Sequence, residues 1–501
     1  MLNVNKTFGD DWSLTANVGA SLNNIKTDEL SYRGPIQENG LPNIFNVFDL
    51  DDTKKRAEKV GWHDQTQSVF ASVEVGWKQM LYLTATGRND WASQIAGSPS
   101  KSFFYPSVGL SWVPSSTWDL GNAFSYLKLR GSIASVGLPF PRFLTTPTYE
   151  YDATGKIWKD KTHYPIGDLK PERTITYEVG IDARLWKNIS LSASWYSADT
   201  KNQTFDPALP PSSSYTTIYL QTGHVRNTGV ELSLGYSNQW RDFGWSSNFT
   251  FSWNKNEIID LASGALNPVT GQPLNLSELD IKGLGKAKYI LKQGGTLGDL
   301  YTTSDLKFND NGYVEVDKAG NLLLTDEGEQ IYLGSVFPSE NLAWRNDFRY
   351  KGINLGLLFT GRIGGICYSA TQANMDLYGV SEVSAAARDA GGVLINGREM
   401  VDAQKWYQAI GSQSGLPQYY TYSATNFRLQ ELSLGYTLPR KWFRNKMGLT
   451  VSFVGRNLWM IYCKAPFDPE AVASTGLSYQ GIDYFMMPSL RSLGFNVKFE
   501  F

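Results

Sequence analysis

The side chains that could do catalytic chemistry in this chain are few and scattered. The histidines His63, His163 and His224 have no metal-ligand spacing with cysteines or carboxylates. Gly283-Leu284-Gly285-Lys286 lacks the spacing of a phosphate-cradling loop. No Gly-x-Ser-x-Gly elbow stands out. Cys367 and Cys463 cannot make a disulfide framework. Asn309-Asp310-Asn311-Gly312 looks like a fragment of a calcium loop but lacks the full ligand spacing. An Asn-Gly turn between short strands at Phe308 and at Tyr313–Val316 accounts for it better, because both residues tolerate positive φ. These residues point to neither an enzyme nor a bound metal or cofactor.

Recognition chemistry is better represented. Arg88, Asn89, Asp90 and Trp91 form one compact polar and aromatic group, and Arg456 and Asn457 precede Asp468, Pro469 and Glu470. Each group could contact a ligand or a covering partner, or could anchor a loop by charge-assisted hydrogen bonds. Sugar binding needs flat aromatic faces beside hydrogen-bonding groups, since pyranose C–H faces are apolar and their hydroxyls need partners. The long connections supply such rings: Trp158 with Tyr164, Tyr215 with Tyr219, Trp406 with Tyr407, Tyr419 with Tyr420 and Tyr422, and Tyr479 with Tyr484. Packing within the loops is the competing role for each.

The elements that would position these groups are strands. Apolar residues recur with a period of two from end to end. Val69, Ala71, Val73, Val75 and Trp77 form one such face. Val230, Leu232, Leu234 and Tyr236 alternate with Glu231, Ser233 and Gly235, and Phe249, Phe251 and Trp253 alternate with Thr250 and Ser252. The last segment sets Leu493, Phe495, Val497, Phe499 and Phe501 against Ser492, Gly494, Asn496, Lys498 and Glu500. Such a strand suits lipid on one side and a watery lumen on the other. Between Phe427 and Tyr436 the parity changes near Glu431, as at a bulge or where a strand rises past the membrane rim.

The alternation gives about fifteen strands. Short and long connections alternate along the whole chain. The long ones lie near 23–60, 137–169, 260–337, 369–422 and 461–487, with shorter members of the same set at 92–102 and 204–222. Outer-membrane barrels have short periplasmic turns and long outer loops, so the pattern predicts an all-β, antiparallel transmembrane barrel of the bacterial outer membrane spanning 1–501. A soluble sandwich or propeller predicts similar loops at both ends. The composition agrees: 42% hydrophobic and 14% aromatic residues, with mean hydropathy -0.31 and no long uncharged apolar run, exclude a bundle of membrane helices. A formal net charge of -2 gives no reason to expect a nucleic-acid partner. The first residues lack the apolar core of a signal peptide, although such a protein must be exported. An odd count leaves two strand edges open to lipid, which is costly. It suggests about two-thirds of a barrel of about 22 strands, the size of plugged outer-membrane transporters.

Several stretches together resemble the barrel of SusC/RagA-type TonB-dependent outer-membrane transporters. They include Leu81–Trp91 followed by Phe104–Trp112, Tyr126–Ser132, Lys170–Thr174 and Asn227–Leu232. Further ones are Phe427-Arg428-Leu429 with Leu434–Pro439, Gly455–Leu458, Phe467–Glu470, and the loop from Gly391 to Tyr407. The resemblance covers essentially the whole chain and makes it the C-terminal barrel portion. It implies a plug domain and TonB contact supplied by a missing N-terminal portion, on the same or a separate polypeptide. It also implies a SusD-like surface lipoprotein as lid, and energised uptake of oligosaccharides or peptides. Arg88, Asp90, Trp91, Trp158, Tyr215, Tyr219, Trp406, Tyr407, Tyr420, Arg456, Asn457 and Tyr484 are then candidate ligand or lid contacts. Phe499 and Phe501 resemble the signal read by the barrel-assembly machinery. A scaffold barrel without flux and a passive porin are the alternative readings.

Overall fold

In the computed structural model the chain is an antiparallel sheet of 15 strands in sequence order. The residues described are 1–501 except 39, 41–45, 146–148, 153–155, 161, 162, 165, 168, 206–214, 216, 262–271, 273–275, 326, 327, 473, 475, 477 and 478. The wall strands are β1 (Leu2–Phe8), β2 (Trp12–Arg33), β3 (Arg56–Trp77), β4 (Leu81–Ala92) and β5 (Phe103–Trp112). They continue with β6 (Phe124–Leu138), β7 (Glu172–Leu185), β8 (Ile189–Phe205), β9 (Leu220–Trp240) and β10 (Phe243–Asp260). The last five are β11 (Glu340–Tyr350), β12 (Ile353–Ile363), β13 (Asn426–Leu438), β14 (Gly448–Cys463) and β15 (Ser492–Glu500). No helix is long and apolar enough to cross a membrane, which says nothing about strands.

The two faces follow the alternation. Val18, Leu22, Val69, Leu83, Leu110, Trp195, Leu234, Trp344, Val451 and Phe453 are large, apolar and exposed, all on one face. No soluble core covers them, so that face is the lipid face. The opposite face carries Ser, Thr, Asn, Glu, Asp and Arg and lines the lumen. Short turns join strands at the periplasmic end. Lys78 and Gln79, Trp186 and Lys187, and Arg241 and Lys351 take positive φ there, as tight hairpins of this handedness need. The expected parity change is a β-bulge: Gln430 is skipped in the pairing of β13 with both neighbours. The sheet ends at β1 and β15, each paired on one side only.

The connections are less loop-like than their sequence suggests. The stretch near 23–60 is mostly strand, because β2 and β3 pair without a break from Trp12 opposite Trp77 to Arg33 opposite Arg56. Each of these strands has 22 residues, about twice the 9–11 that cross a bilayer. Outward of Leu22 the lipid-side positions become Asn24, Lys26 and Asp28, so the apolar alternation stops while the backbone ladder continues. The 260–337 connection holds a four-stranded sheet: Glu278–Leu284, Ala287–Lys292, Asp299–Thr302 and Ile331–Ser335. The 369–422 connection holds helices α1 (Ala370–Leu377), α2 (Glu382–Asp389) and α3 (Ala403–Ile410). Ser369, Ser381 and Asp402 cap their N-termini through side-chain oxygens.

These insertions fold together. A single apolar core joins Leu291, Leu300, Tyr368, Ala373, Tyr407, Leu416 and Ile482 to Val225 and Ile258 at the tops of β9 and β10. Val225 and Ile258 lie on the inward parity of their strands. The cap is therefore seated on the lumenal side of the wall.

Candidate functional site

Three ionic groups on the inward face of the wall show how it holds its cations. On β4 Arg88 donates from Nε to Asp90 Oδ1 at 2.7 Å and from Nη2 to Ser68 Oγ at 2.8 Å. Tyr105 donates its hydroxyl to the same carboxylate, and the guanidinium lies 5.9 Å from the Phe70 ring centre. On β6 and β7 Arg130 pairs with Glu178 and stands 3.6 Å from Asp182. Gly180 lies beneath it, and a Cβ there would meet Arg130 Cζ at 2.8 Å. Across β11 to β14 Glu431 accepts from Arg345 at 3.3 Å and from Arg456 at 3.1 Å. Gly356 on the intervening strand leaves room for that reach, since a Cβ would stand 3.0 Å from Asp347 Oδ1 and 2.5 Å from Ser433 Oγ. In each group a small residue or a hydroxyl lets a long cation lie along the wall instead of projecting into the passage.

The sequence-predicted groups are rearranged by this geometry. Arg88 and Asp90 share the lumenal face. Trp91 is one residue on, so it turns outward and is 41% exposed. Arg456 does not meet Asp468 or Glu470; it serves Glu431 on the wall. The residue that holds the last outer loop is Arg428. It is buried on β13, donates to both oxygens of Asp468 at 2.8 and 2.9 Å, and stands 3.0 Å from Glu470. Asn426 Oδ1 and Asn457 Oδ1 accept from the same guanidinium, and Asn457 in turn donates to the Leu490 carbonyl. Arg428 belongs to the Phe427-Arg428-Leu429 stretch, where a lone cation inside an apolar alternation gives no local sign of a loop anchor. Asp468 lies 40 residues downstream, out of reach of any local spacing argument. Asp468 is held below the ordinary carboxylate value: burial opposes its ionisation, and the Arg428, Ser489 and Glu470 hydrogen bonds outweigh it.

The aromatic candidates divide by burial. Tyr407 and Tyr420 are in the cap core, 7% and 3% exposed. As placed they pack the fold, and burial pushes the Tyr420 phenol up. Trp158 is exposed on the Tyr149–Asp152 and Ile157–Asp160 hairpin, 5.2 Å from Tyr151. Tyr215 meets Tyr164 edge-on at 5.3 Å and Tyr219 meets His163 at 5.2 Å. Trp406 meets Tyr419 edge-on at 6.2 Å, and burial together with Asp305 pushes the Tyr419 phenol up to about 12. Tyr484 meets Phe485. Rings of the 137–169 and 204–222 connections thus meet one another, whereas Trp158, Trp406 and Tyr484 each meet a ring of their own connection. Phe499 and Phe501 stack on the lipid face of β15 with centres 6.5 Å apart. Asn309 closes its turn by accepting from Asn311 and Tyr313 N–H, with Gly312 at φ +75. The flanking segments pair only through isolated bridges such as Phe308 with Val314. Among the described residues no group of three or more His, Cys, Asp or Glu is gathered as a metal would require.

A lipid-facing antiparallel wall with a charged lumen, long outer segments and short inner turns defines a transmembrane β-barrel of the outer membrane. The family model "TonB dependent receptor-like, beta-barrel" matches residues 1–335, and the chain belongs to that family. It is similar to the TonB-dependent receptor P3 of Formosa agariphila, 25% identical over 545 residues. That match covers 99% of this chain and 52% of the relative. It is also similar to the TonB-dependent receptor SusC of Bacteroides thetaiotaomicron, 20% identical, across 66% of this chain and 32% of SusC. Among solved structures, the RagAB peptide importer in its closed-closed state superposes with a TM-score of 0.73 at 20% identity. It covers 99% of this chain and 54% of that one. The chain thus spans about half the length of the relatives it matches. The family consists of receptors and transporters, not enzymes.

Proposed function

We propose that this chain supplies the barrel wall and outer mouth of a nutrient importer of the outer membrane, energised through TonB and covered by a SusD-like lipoprotein. One observation carries the reading. The cap is not a set of free loops but a folded body with its own core, rooted through Val225 and Ile258 on the lumenal side of the wall. A passive pore needs an open mouth. A built mouth above a charged lumen suits capture and gated passage.

The substrate class is an oligosaccharide or a peptide. Exposed rings at Trp158 and Tyr484 offer flat faces for sugars. The fold shared with the RagAB peptide importer favours the second class. Further strands close the wall between β1 and β15, because bare ladder edges in hydrocarbon are too costly to persist. The plug and TonB contact belong to that further portion.

The experiment is depletion of defined oligosaccharide and peptide mixtures by cells with and without this protein, each with and without a protonophore. The expected result is one chemical class taken up only by cells that have the protein and only with the proton gradient. Uptake that survives the protonophore would mark a porin. Equal depletion by both strains would mark a scaffold.

A further inference from the structure

The periplasmic turn between β13 and β14 differs from every other short turn of the wall. Of the other short turns, those between β1 and β2 and between β5 and β6 carry no cation, and four carry one beside an aromatic residue: Lys78 by Trp77, Lys187 by Trp186, Arg241 by Trp240, Lys351 by Tyr350. Two of those cations are already engaged. Lys78 stands 3.9 Å from Asp11 and over the Trp77 ring, and Lys351 lies over the Tyr350 ring at 5.3 Å. The β13–β14 turn instead reads Pro439-Arg440-Lys441-Trp442-Phe443-Arg444-Asn445-Lys446. No acidic residue occurs between Glu431 and Asp468.

The turn is a defined structure. A single 3-10 turn over Arg440–Phe443 is followed by Arg444 and Asn445 at φ +53 and +60. Asn445 N–H returns to the Arg440 carbonyl at 2.9 Å. Its four cations and Trp442 are all exposed, Trp442 at 67%. Arg440 alone meets a neighbouring acid, Glu500 on β15 at 3.3 Å, which Lys498 shares at 2.5 Å. The local charge stays strongly positive after that pairing.

Depth supplies the second observation. Leu434 and Tyr436 on β13, with Val451 and Leu449 on β14, carry the lipid face down to the turn. Trp442 comes next and the cations lie around it. Apolar band, aromatic ring and cations follow one another as acyl chain, interface and phosphate do in a phospholipid. We propose that this turn is a binding site for the headgroup phosphate of an anionic phospholipid in the inner leaflet. The inference rests on the placement of the barrel in the membrane and not on what the protein transports.

The test is native mass spectrometry of the detergent-solubilised full-length receptor titrated with phosphatidylglycerol, phosphatidylethanolamine or soluble glycerophosphoglycerol. The variant is Lys441→Gln with Arg444→Gln and Lys446→Gln, leaving the Arg440–Glu500 pair in place. Lys187→Gln is the control turn, and heat-modifiable electrophoretic mobility reports folding. Wild type and Lys187→Gln should retain phosphatidylglycerol in preference to phosphatidylethanolamine. The folded triple variant should retain about a hundredfold less, on the usual worth of three basic residues near an anionic surface. Neither should retain the soluble headgroup. Should the triple variant fail to fold, Lys441→Gln and Lys446→Gln singly should each lower retention several-fold. Undiminished phosphatidylglycerol in a folded variant would overturn the proposal. So would equal retention of glycerophosphoglycerol, which would mean a site for free anions, or a loss confined to an acidic periplasmic protein that copurifies.

Discussion

A guanidinium whose side chain is 4% exposed has no solvent to replace a lost partner, and Arg428 is such a group. Its bidentate bond to Asp468 and its contact with Glu470 tie the loop before β15 to β13. Breaking a buried pair from one side leaves an uncompensated charge, at about 3–5 kcal/mol. Arg428→Ala should therefore destabilise the outer end of β13 and β14 by that order. The change would be read as a lowered denaturation midpoint and faster proteolysis within residues 464–491. Arg428→Lys should recover only part of it, because a point charge cannot make the paired bonds. Asp317 gives a pH-dependent case. Its carboxylate accepts first from the Asn321 backbone and side chain and then from Ala319, which holds its pKa below the ordinary 3.8. A depressed folded value means that the contribution is complete above about pH 4 and is lost as pH falls through the folded value. Amide exchange at Ala319 and Asn321 should accelerate only below that range, and Asp317→Asn should blunt the dependence. The residue scale is also where sequence reading is weakest. Neighbours such as Asp90 and Trp91 face opposite sides of one strand, and partners such as Arg428 and Asp468 are far apart in the chain.

The strands were legible because lipid imposes a period of two on one face only. The same physics explains where legibility ended. Beyond the bilayer no apolar face is needed, so β2 and β3 continue as a ladder through residues that read as loop. Within the cap, short strands and eight-residue helices bury small apolar patches against one another, and no single segment shows a long period. Their junctions are narrow. Gly285, at φ +62, turns the 278–292 hairpin against the segment after α3. A Cβ there would meet the Gln413 carbonyl oxygen at 1.9 Å, the atom that accepts from Lys286 N–H at 2.9 Å. Gly285→Val should open this junction at about 1–3 kcal/mol, seen as increased deuterium uptake at Lys286 with membrane assembly unchanged. Gly294, at φ +81, has nothing within 4 Å of the same position. Gly294→Ala should carry backbone strain alone and leave exchange at Lys286 as it was.

At the scale of the whole molecule, the wall and the cap divide the labour. Across the bilayer span the wall turns its charges inward and pairs them along its surface, which makes the lumen polar. The cap turns the outer segments into one body. Which end of the wall carries the outer segments was foreshadowed by the alternation of short turns and long connections. The cap's internal fold and its anchorage at Val225 and Ile258 were not. One face of each wall strand meets lipid and the other a lumen. Spin labels placed singly along β10 at Trp245, Ser246, Phe249, Thr250, Phe251 and Ser252 test it most directly, with the full-length receptor in native outer membranes. Collision with dissolved oxygen, which concentrates in hydrocarbon, should be high at Trp245, Phe249 and Phe251 and low at Ser246, Thr250 and Ser252. Uniform accessibility along the strand, or the reverse alternation, would contradict the account.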